Sequence, residues 1–265
     1  MKLYNSYILE NKKLAKDIFK LTIQRVDDEV WEAGNFAMIL PEPKPNFFTW
    51  RRPFSIFNMS ASTLEFLIKK VGKITNILEG MNANSQISYI GPLGSKFKLP
   101  DDAKTKIFLL AGGLGIAPLY MLSCQLNQYC LNFTLLYGAA TNSELIDLRA
   151  IQSNNNSIIY ATEDDSFGYK GKVTDLFNSI SNSNISNYYI YVCGPFAMLY
   201  SIYKNYSFKG AKIQSSVETL MACGFGVCRG CAIPSKNDTY KMACKDGPVF
   251  DLEEIDWDLW YQIYQ

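Results

Sequence analysis

Apolar and polar residues alternate in short segments over the first hundred residues of the chain. Glycine, proline and asparagine turns separate these segments, and no long helical pattern interrupts them. Closely spaced strands without long helices favour a small antiparallel β-barrel. We therefore predict a barrel domain over residues 1–99, with a short helix near Thr75 and with strands at 18–26, 35–40, 55–59 and 64–69.

Apolar strand-like runs alternate with helical patterns between residues 100 and 211. Such alternation predicts a parallel sheet with helices on its faces, so we expect an α/β nucleotide-binding domain here. The expected strands are 107–111, 133–137, 157–161 and 188–192, and the expected helices are 116–128, 143–153, 173–180 and a last one after Pro195.

Glycine and cysteine are frequent from residue 212 to residue 265, where the strand-like pieces are short. This pattern of frequent glycine and cysteine with short strand-like pieces predicts a third, small module. The expected fold class is thus an α+β multidomain protein: an antiparallel β-barrel, a central α/β parallel-sheet domain and a small C-terminal module. An aromatic segment at 256–261 either packs back on its own module or docks a partner, because Trp and Tyr are frequent interface anchors.

The 265 residues carry a formal net charge of +1, and 48% of them are hydrophobic. So small a net charge provides no basic field for nucleic acid. No apolar run approaches the roughly 20 residues of a membrane span, and the first residues lack the apolar region of a signal peptide. We expect a cytoplasmic protein with neither a nucleic-acid nor a membrane partner.

Histidine is absent from the chain. This excludes Ser-His-Asp and Cys-His nucleophiles and every His-ligated metal site. Any chemistry must come from a cofactor or from the seven cysteines. A cytoplasmic chain keeps its thiols reduced, so a disulfide framework is not expected. We interpret Cys124 and Cys130 as ordinary core or surface thiols.

Four cysteines follow the spacing C-x4-C-x2-C-x12-C, and the first three match the plant-type ferredoxin run for a [2Fe–2S] cluster. Three glycines lie between the first and third, and residues without a Cβ let the loop curl so that N–H groups face the sulfurs. Structural zinc usually binds two C-x2-C pairs, and this chain has one. The spacing favours the cluster, with zinc or unligated thiols as alternatives, at Cys223, Cys228, Cys231 and Cys244.

Two patterns in the barrel region are compatible with a bound flavin. The tetrapeptide Arg52-Pro53-Phe54-Ser55 lies on a predicted strand, although alone it is also what a strand after a proline looks like. A glycine and a hydroxyl at residues 72–75 open the short helix. Free N–H groups and the helix dipole favour a phosphate at such a position.

Two patterns in the sheet domain indicate a nucleotide. Gly112, Gly113 and Gly115 form a turn from a buried strand into a helix, where a dinucleotide could approach the backbone, although a plain turn would look the same. Cys193-Gly194-Pro195 ends the fourth strand, at the edge where open α/β sheets bind ligands.

The order of these parts resembles the ferredoxin–NAD(P) reductase superfamily. The C-terminal C-G-x-G-x-C-x-x-C…C-x-D-G-P-V-F, preceded by S-V-E-T-L-M-A, is similar to the electron-transfer subunits of NAD-dependent dihydroorotate dehydrogenases. The resemblance covers nearly the whole chain. It implies that FAD is held by Arg52, Pro53, Phe54, Ser55, Leu67, Ile68, Lys69, Ile74 and Thr75, that the Gly112–Pro118 and Cys193–Pro195 turns flank the nicotinamide of NAD, and that the four cysteines ligate [2Fe–2S].

The chain departs from the family pattern at three positions. Ile74 stands where the family usually has glycine, which puts the phosphate-binding loop conformation in doubt. Lys69 replaces an arginine and so loses the planar fork. Ala140 stands where NADP-using relatives often have an arginine, which favours NAD.

The resemblance implies that an FMN-containing catalytic subunit, two copies of each subunit together, oxidises dihydroorotate in pyrimidine biosynthesis. Electrons then cross the cluster and FAD to NAD⁺, and this chain needs no catalytic side chain of its own. The alternatives are a diaphorase subunit of a transhydrogenase or sulfhydrogenase, a reductase feeding an oxygenase, and a non-enzymatic zinc-stabilised scaffold. Transhydrogenase relatives tend to have aspartate at the first cluster position, where this chain has Cys223.

Overall fold

The structure is a computed structural model that describes residues 2–46, 50–102, 105–152, 156–181, 185–206, 210–237 and 239–264. The first strands close into an antiparallel barrel in the order β1-β2-β5-β4-β3-β6. Its elements are β1 (Leu3–Ala15), β2 (Ile18–Gln24), β3 (Phe36–Pro41), β4 (Arg52–Met59), β5 (Thr63–Lys69), α1 (Lys73–Glu79) and β6 (Gln86–Leu93).

A buried carboxylate anchors the loop between β2 and β3. The side chain of Asp27 is fully buried and accepts hydrogen bonds from Trp31 Nε1 at 3.0 Å and from the Tyr89 hydroxyl. Arg25 lies beside it, with its Nε 3.7 Å from the carboxylate. A buried charge is tolerated only when its oxygens are bonded in this way, so the aromatic residues fix the loop between β2 and β3.

The central domain is a seven-stranded sheet in the order β10-β9-β8-β7-β11-β12-β15, in which only the last pair is antiparallel. The strand order reverses direction at β7, so the carboxyl ends of β7 and β11 form the switch point where open sheets bind ligands. Its elements up to β12 are β7 (Lys106–Gly112), α2 (Ile116–Gln128), β8 (Phe133–Ala139), β9 (Ser157–Thr162), β10 (Tyr169–Lys170), α3 (Val173–Ile180), β11 (Tyr188–Cys193), α4 (Phe196–Tyr206) and β12 (Lys212–Ser216).

The last part of the chain contributes a hairpin, one sheet strand and a terminal helix. These are β13 (Ala232–Ser235), β14 (Thr239–Met242), β15 (Val249–Asp251) and α5 (Trp257–Tyr264). Because β12 and β15 both pair in the central sheet, the cysteine-rich loop between them is anchored at its two ends. The domain limits at 99/100 and 211/212 stay predictions, and β12 lies beyond the second of them.

The aromatic segment at the end of the chain packs against the central domain. Trp257 is fully buried and Trp260 is 8% exposed, and the Trp260 ring lies edge-on to Phe196 of α4 at 5.0 Å between centroids. The Tyr200 hydroxyl donates to Asp258 at 2.8 Å. The segment therefore packs on α4 as well as on its own module.

Most expected elements are present, and helices α2 and α3 have the expected limits. The helix expected over 143–153 is wrong: the described residues form two 3-10 turns, Asn142–Glu144 and Arg149–Ile151, and residue 153 lies outside them. Asp147 accepts the N–H of Arg149 at 2.9 Å and pairs with its guanidinium. Such local bonds compete with the helical ladder.

Strand β1 was not predicted although it is 13 residues long. Its inward residues Tyr4, Ser6 and Ile8 are buried, but two of the outward ones, Tyr7 and Leu9, are apolar as well. This obscures the alternation that marks a half-buried strand.

None of the helices in the described ranges has the length and apolar character of a membrane span, and the longest, α2, has 13 residues.

Substitution of Gly115 by alanine should destabilise the protein. A Cβ at Gly115 would lie 2.0 Å from the carbonyl oxygen of Cys193, so the turn before α2 would have to move away from β11. Overpacking of this kind costs about 1–3 kcal/mol, and thermal unfolding measures it. Gly80→Ala is the matched control, because its Cβ would meet only atoms at 3.6 Å or more. An equal melting temperature for both variants would contradict the close packing.

Candidate cofactor sites

A cavity of about 660 Å³ lies between the barrel and the carboxyl ends of the central strands. Its size is within the usual range for small-molecule sites, which is roughly 300–1,000 Å³. Nine of the expected cofactor residues line it: Arg52, Pro53, Phe54, Ser55, Leu67, Lys69, Ile74, Thr75 and Cys193.

The two neighbouring arginines at the start of β4 have different roles. Arg51 turns into the barrel, where its guanidinium donates to the backbone oxygen and to the hydroxyl of Ser88 at 2.8 Å each. Burial lowers its pKa, against the opposing effect of nearby Glu42. Arg52 is exposed in the cavity wall, bonded only to the oxygen of Trp50 at 3.1 Å among the described residues. Arg52 is thus the arginine that can meet an anionic ligand.

Strand β5 presents alternate side chains to the cavity. Leu67 and Lys69 line it, whereas Ile68 is fully buried in the barrel core. Successive side chains of a strand face opposite sides, so Ile68 can reach a ligand only through its backbone. Lys69 Nζ lies 3.2 Å from Oε1 of Glu144 in the central domain. The lysine therefore links the two domains at the wall of the cavity.

The turn into α1 accommodates Ile74 without strain. Ile74 lies inside the helix, is 3% exposed, and is not among the residues with positive φ. The Thr75 hydroxyl donates to the Gly72 oxygen and accepts the N–H groups of Val71 and Gly72, all at 3.0 Å. These three bonds use its full capacity. A phosphate would have to be held by other groups, such as Lys69 or Arg52.

The two glycine turns of the sheet domain meet at the switch point. A Cβ at Gly112 would lie 3.1 Å from Cδ of Pro195 and 3.6 Å from the Cα of Gly194. Gly113 has a φ of +53°. The structure thus brings together Gly112, Gly113, Gly115, Gly194 and Pro195, although none of these five lines the large cavity.

Cys193, at the end of β11, faces the large cavity with a buried thiol. Burial raises its pKa, and the nearby carboxylate of Glu218 acts in the same direction. The thiol therefore stays protonated and forms a small apolar part of the cavity wall. Gly194 and Pro195 line a second, smaller cavity of about 230 Å³.

The four C-terminal cysteines form two pairs. Sγ of Cys231 and Sγ of Cys244 are 3.1 Å apart, and the thiols of Cys223 and Cys228 are hydrogen-bonded to each other. Gly226 N–H donates to Cys244 Sγ at 3.0 Å. A two-iron cluster with four cysteines takes two thiolates on each iron, which the two pairs match.

The surroundings shift two of these thiols in opposite directions: burial and the hydrogen bond with Cys231 raise the pKa of Cys244, whereas the loop favours the thiolate of Cys223. Partial burial acts to raise the pKa of Cys223, but N–H groups of Cys228 and Phe225 outweigh it and lower that pKa to about 6. Gly224 and Gly226 have φ of +86° and +85°, which the curled loop requires. In the described ranges, no three Cys, Asp or Glu side chains are arranged to hold one metal ion. Four cysteines with a single C-x2-C pair fit a two-iron cluster better than a structural zinc site, which usually has two such pairs.

One segment of the large cavity was not predicted from the sequence. After β12 the chain crosses the carboxyl edge of the sheet before it reaches Cys223. Five residues of this segment line the cavity, namely Ser216, Val217, Glu218, Thr219 and Met221, and Pro248 next to β15 lines it as well. The position of the segment, directly after a strand end at the ligand-binding edge, is the signal that could have identified it.

Comparisons with known proteins agree with this architecture. Residues 109–204 match the model of the oxidoreductase NAD-binding domain. Residues 218–256 match the iron–sulfur cluster binding domain of dihydroorotate dehydrogenase B. The electron-transfer subunit of dihydroorotate dehydrogenase B (NAD(+)) from Clostridium acetobutylicum is 32% identical, with 94% of this chain and 95% of the relative covered. The chain belongs to this family of electron-transfer subunits.

Further relatives extend the family assignment. The corresponding subunit from Bacillus cereus is 32% identical over 96% of this chain and 99% of its own length. Among solved structures, an NADH-dependent reduced ferredoxin–NADP oxidoreductase, described in connection with flavin-based electron bifurcation, has a TM-score of 0.82 and 26% identity, with 97% of this chain and 91% of that chain covered. Family membership confirms the expected iron–sulfur cluster, FAD and NAD. The residues assigned to each stay predictions.

Substitution Arg52→Gln should weaken FAD binding roughly 10- to 100-fold, because a charge-assisted hydrogen bond contributes about 1.5–3 kcal/mol. Titration of the flavin-free protein with FAD, followed by flavin fluorescence, measures the dissociation constant. Arg149→Gln is the matched control, since Arg149 is exposed and pairs with Asp147 outside the cavity. An unchanged constant for the Arg52 variant would remove this residue from the FAD site.

Proposed function

We propose that this chain receives electrons that an FMN-containing catalytic subunit removes from dihydroorotate, and that it delivers them to NAD⁺ in pyrimidine biosynthesis. When bound, the cluster exchanges electrons one at a time and FAD exchanges a hydride with NAD. The residues of this chain hold these groups in position and exclude water around them. We place this activity in the cytoplasm.

A single segment that links the two sites carries this proposal. Residues 216–219 and Met221 line the large cavity, and Cys223 follows two residues after Met221. The cluster loop also lies directly on the barrel, since a Cβ at Gly224 would meet the Met38 side chain at 2.4 Å. Phe36 lies on the same face of β3 as Met38, two residues earlier, and it lines the cavity. Electron transfer between the two groups therefore needs no movement of a domain.

The side chains in the cavity suit the parts of FAD. Arg52 and Lys69 provide positive charge for the pyrophosphate, and Phe54 and Leu67 provide apolar wall for the flavin ring. Ser55 adds a hydroxyl on the same strand. The buried Cys193 thiol and the glycine turns at the switch point leave the face towards the sheet free of bulky side chains, so a nicotinamide can approach there.

Apolar side chains surround the cluster loop on its open side. Leu220 is 89% exposed and Val227 is 74% exposed, and they flank Cys223 on either side in the sequence. Exposed apolar residues beside a redox site whose first two cysteines are not buried are typical of a surface that a partner covers. We propose that the catalytic subunit docks here, and that two copies of each subunit assemble.

The ferredoxin–NADP oxidoreductase with TM-score 0.82 provides a second candidate, a diaphorase subunit of a bifurcating transhydrogenase. Cys223 argues against it, because transhydrogenase relatives tend to have aspartate at this position. In this chain the Cys223 thiol is paired with Cys228 and receives the N–H of Phe225 at 3.5 Å. Four sulfur donors are thus available.

Substitution Cys223→Ser should abolish dihydroorotate-dependent NADH formation by the reconstituted complex and leave NADH-dependent dye reduction by the flavin largely intact. The serine removes a thiolate ligand of the cluster but lies outside the FAD cavity. Absorbance of NADH and of the dye measures the two activities separately. Cys130→Ser, at an exposed thiol away from the loop, is the control. Dihydroorotate-dependent NADH formation that persists in the Cys223 variant would contradict the electron path.

Substitution Leu220→Asp should weaken binding of the catalytic subunit roughly 10-fold, which corresponds to about 1.4 kcal/mol. The charge would be desolvated at the proposed interface. Surface plasmon resonance with the immobilised catalytic subunit measures the affinity. Val30→Asp is the control, since Val30 is 75% exposed in the loop between β2 and β3. Equal affinities for the two variants would place the interface elsewhere.

A further inference from the structure

An ion pair joins the barrel to the central domain at the wall of the large cavity. Lys69, at the end of β5, lines this cavity, and its Nζ lies 3.2 Å from Oε1 of Glu144. The two side chains are 40% and 24% exposed, so solvent screens the pair only in part. Glu144 itself does not line the cavity. Its carboxylate therefore meets the lysine from outside the cavity.

The turn that carries Glu144 is also attached to the barrel through its backbone. This 3-10 turn, Asn142–Glu144, follows the carboxyl end of β8. The N–H of Lys16, which lies between β1 and β2, donates to the backbone oxygen of Ser143 at 2.7 Å. This bond does not involve the Glu144 side chain. The carboxylate can therefore change its partner while the turn stays in place.

Lys69 is one of three cationic side chains that line the cavity, together with Arg52 and Lys73. An ammonium group has three N–H donors, but it is a single point charge without the fork of an arginine. A carboxylate and a pyrophosphate on the same ammonium group would repel each other, since both are negative. Lys69 can thus give its full charge to a pyrophosphate only when Glu144 gives way.

We propose that Glu144 occupies Lys69 in place of the FAD pyrophosphate when the protein is free of flavin, and that the pyrophosphate displaces Glu144 when FAD binds. Glu144 is then a positioning residue. Its carboxylate holds the lysine at the cavity wall and ties the barrel to the central domain until FAD is bound. The inference rests on the proposed function, in which Lys69 provides charge for the pyrophosphate.

This exchange of partners has two measurable consequences. Glu144 competes with FAD for Lys69, so removal of its charge should tighten flavin binding. The ion pair exists only in the flavin-free form, so its loss should lower the thermal stability of that form alone. A salt bridge with a purely structural role would instead stabilise both forms equally and would leave the affinity for FAD unchanged.

Substitution Glu144→Gln should lower the dissociation constant of FAD roughly 2- to 5-fold, the range that a partly exposed ion pair contributes. Fluorescence titration of the flavin-free, full-length protein with FAD measures this constant. Lys69→Gln should raise the constant roughly 10-fold, because a charge-assisted hydrogen bond is lost. When Lys69→Gln is already present, Glu144→Gln should have no further effect, since the group for which Glu144 competes is gone.

Melting temperatures of the flavin-free and the FAD-saturated proteins provide the second readout. Glu144→Gln should lower only the first, because tighter binding offsets the lost ion pair once FAD is in excess. Asp147→Asn is the matched control, since it removes a carboxylate that pairs with Arg149 outside the cavity. Any change of stability in this control should be equal in both forms, and its affinity for FAD should be unaltered.

Three results would overturn the exchange of partners. They are weaker or unchanged FAD binding in the Glu144→Gln variant, an equal tightening in the absence of Lys69, and an equal loss of stability in both forms. Each of these leaves the proposed function intact as long as Lys69→Gln weakens FAD binding. An unaltered protein that binds no FAD would contradict both the exchange and the proposed function.

Discussion

The carboxyl ends of β7 and β11 are packed backbone against backbone, and the cofactor sites are arranged around this contact. Gly115 lies where any Cβ would collide with the Cys193 carbonyl, and Gly112 lies where a Cβ would press on Pro195. This contact brings the start of α2 onto the end of β11. Residues at this edge of the sheet line both the large cavity and the smaller one.

The cysteine-rich loop depends on the same edge. It leaves the sheet after β12 and returns at β15, so its two ends are fixed by strand pairing. Between them, tight glycine turns direct N–H groups at the sulfurs, and Gly224 allows the loop to touch the barrel. Further along the barrel, Ser95 accepts the N–H of Val249 at 3.1 Å and donates to its oxygen at 2.9 Å. These contacts hold the barrel and the cysteine-rich loop together.

The sequence was sufficient for the three-part architecture and for the strand that begins near Arg52, because these depend on periodicity and turn residues. It was insufficient for the helix expected over 143–153, where Asp147 bonds its own backbone neighbourhood instead. It also gave Ile68 a role that strand alternation denies to its side chain. The segment that leads from β12 to Cys223 was not predicted to line the large cavity, because it does so only where the sheet and the barrel meet in space, which no local pattern encodes.

Strand β5 limits how the chain can vary in length. It places Lys69 at the cavity and Ile68 in the barrel core by alternation alone. A single inserted or deleted residue in this strand would exchange the two positions, with a charge in the core and an apolar side chain at the ligand. A single substitution in β5 keeps this alternation, whereas a shift of the strand by one residue reverses it. Length differences among related chains should therefore concentrate in the loops on either side of this strand.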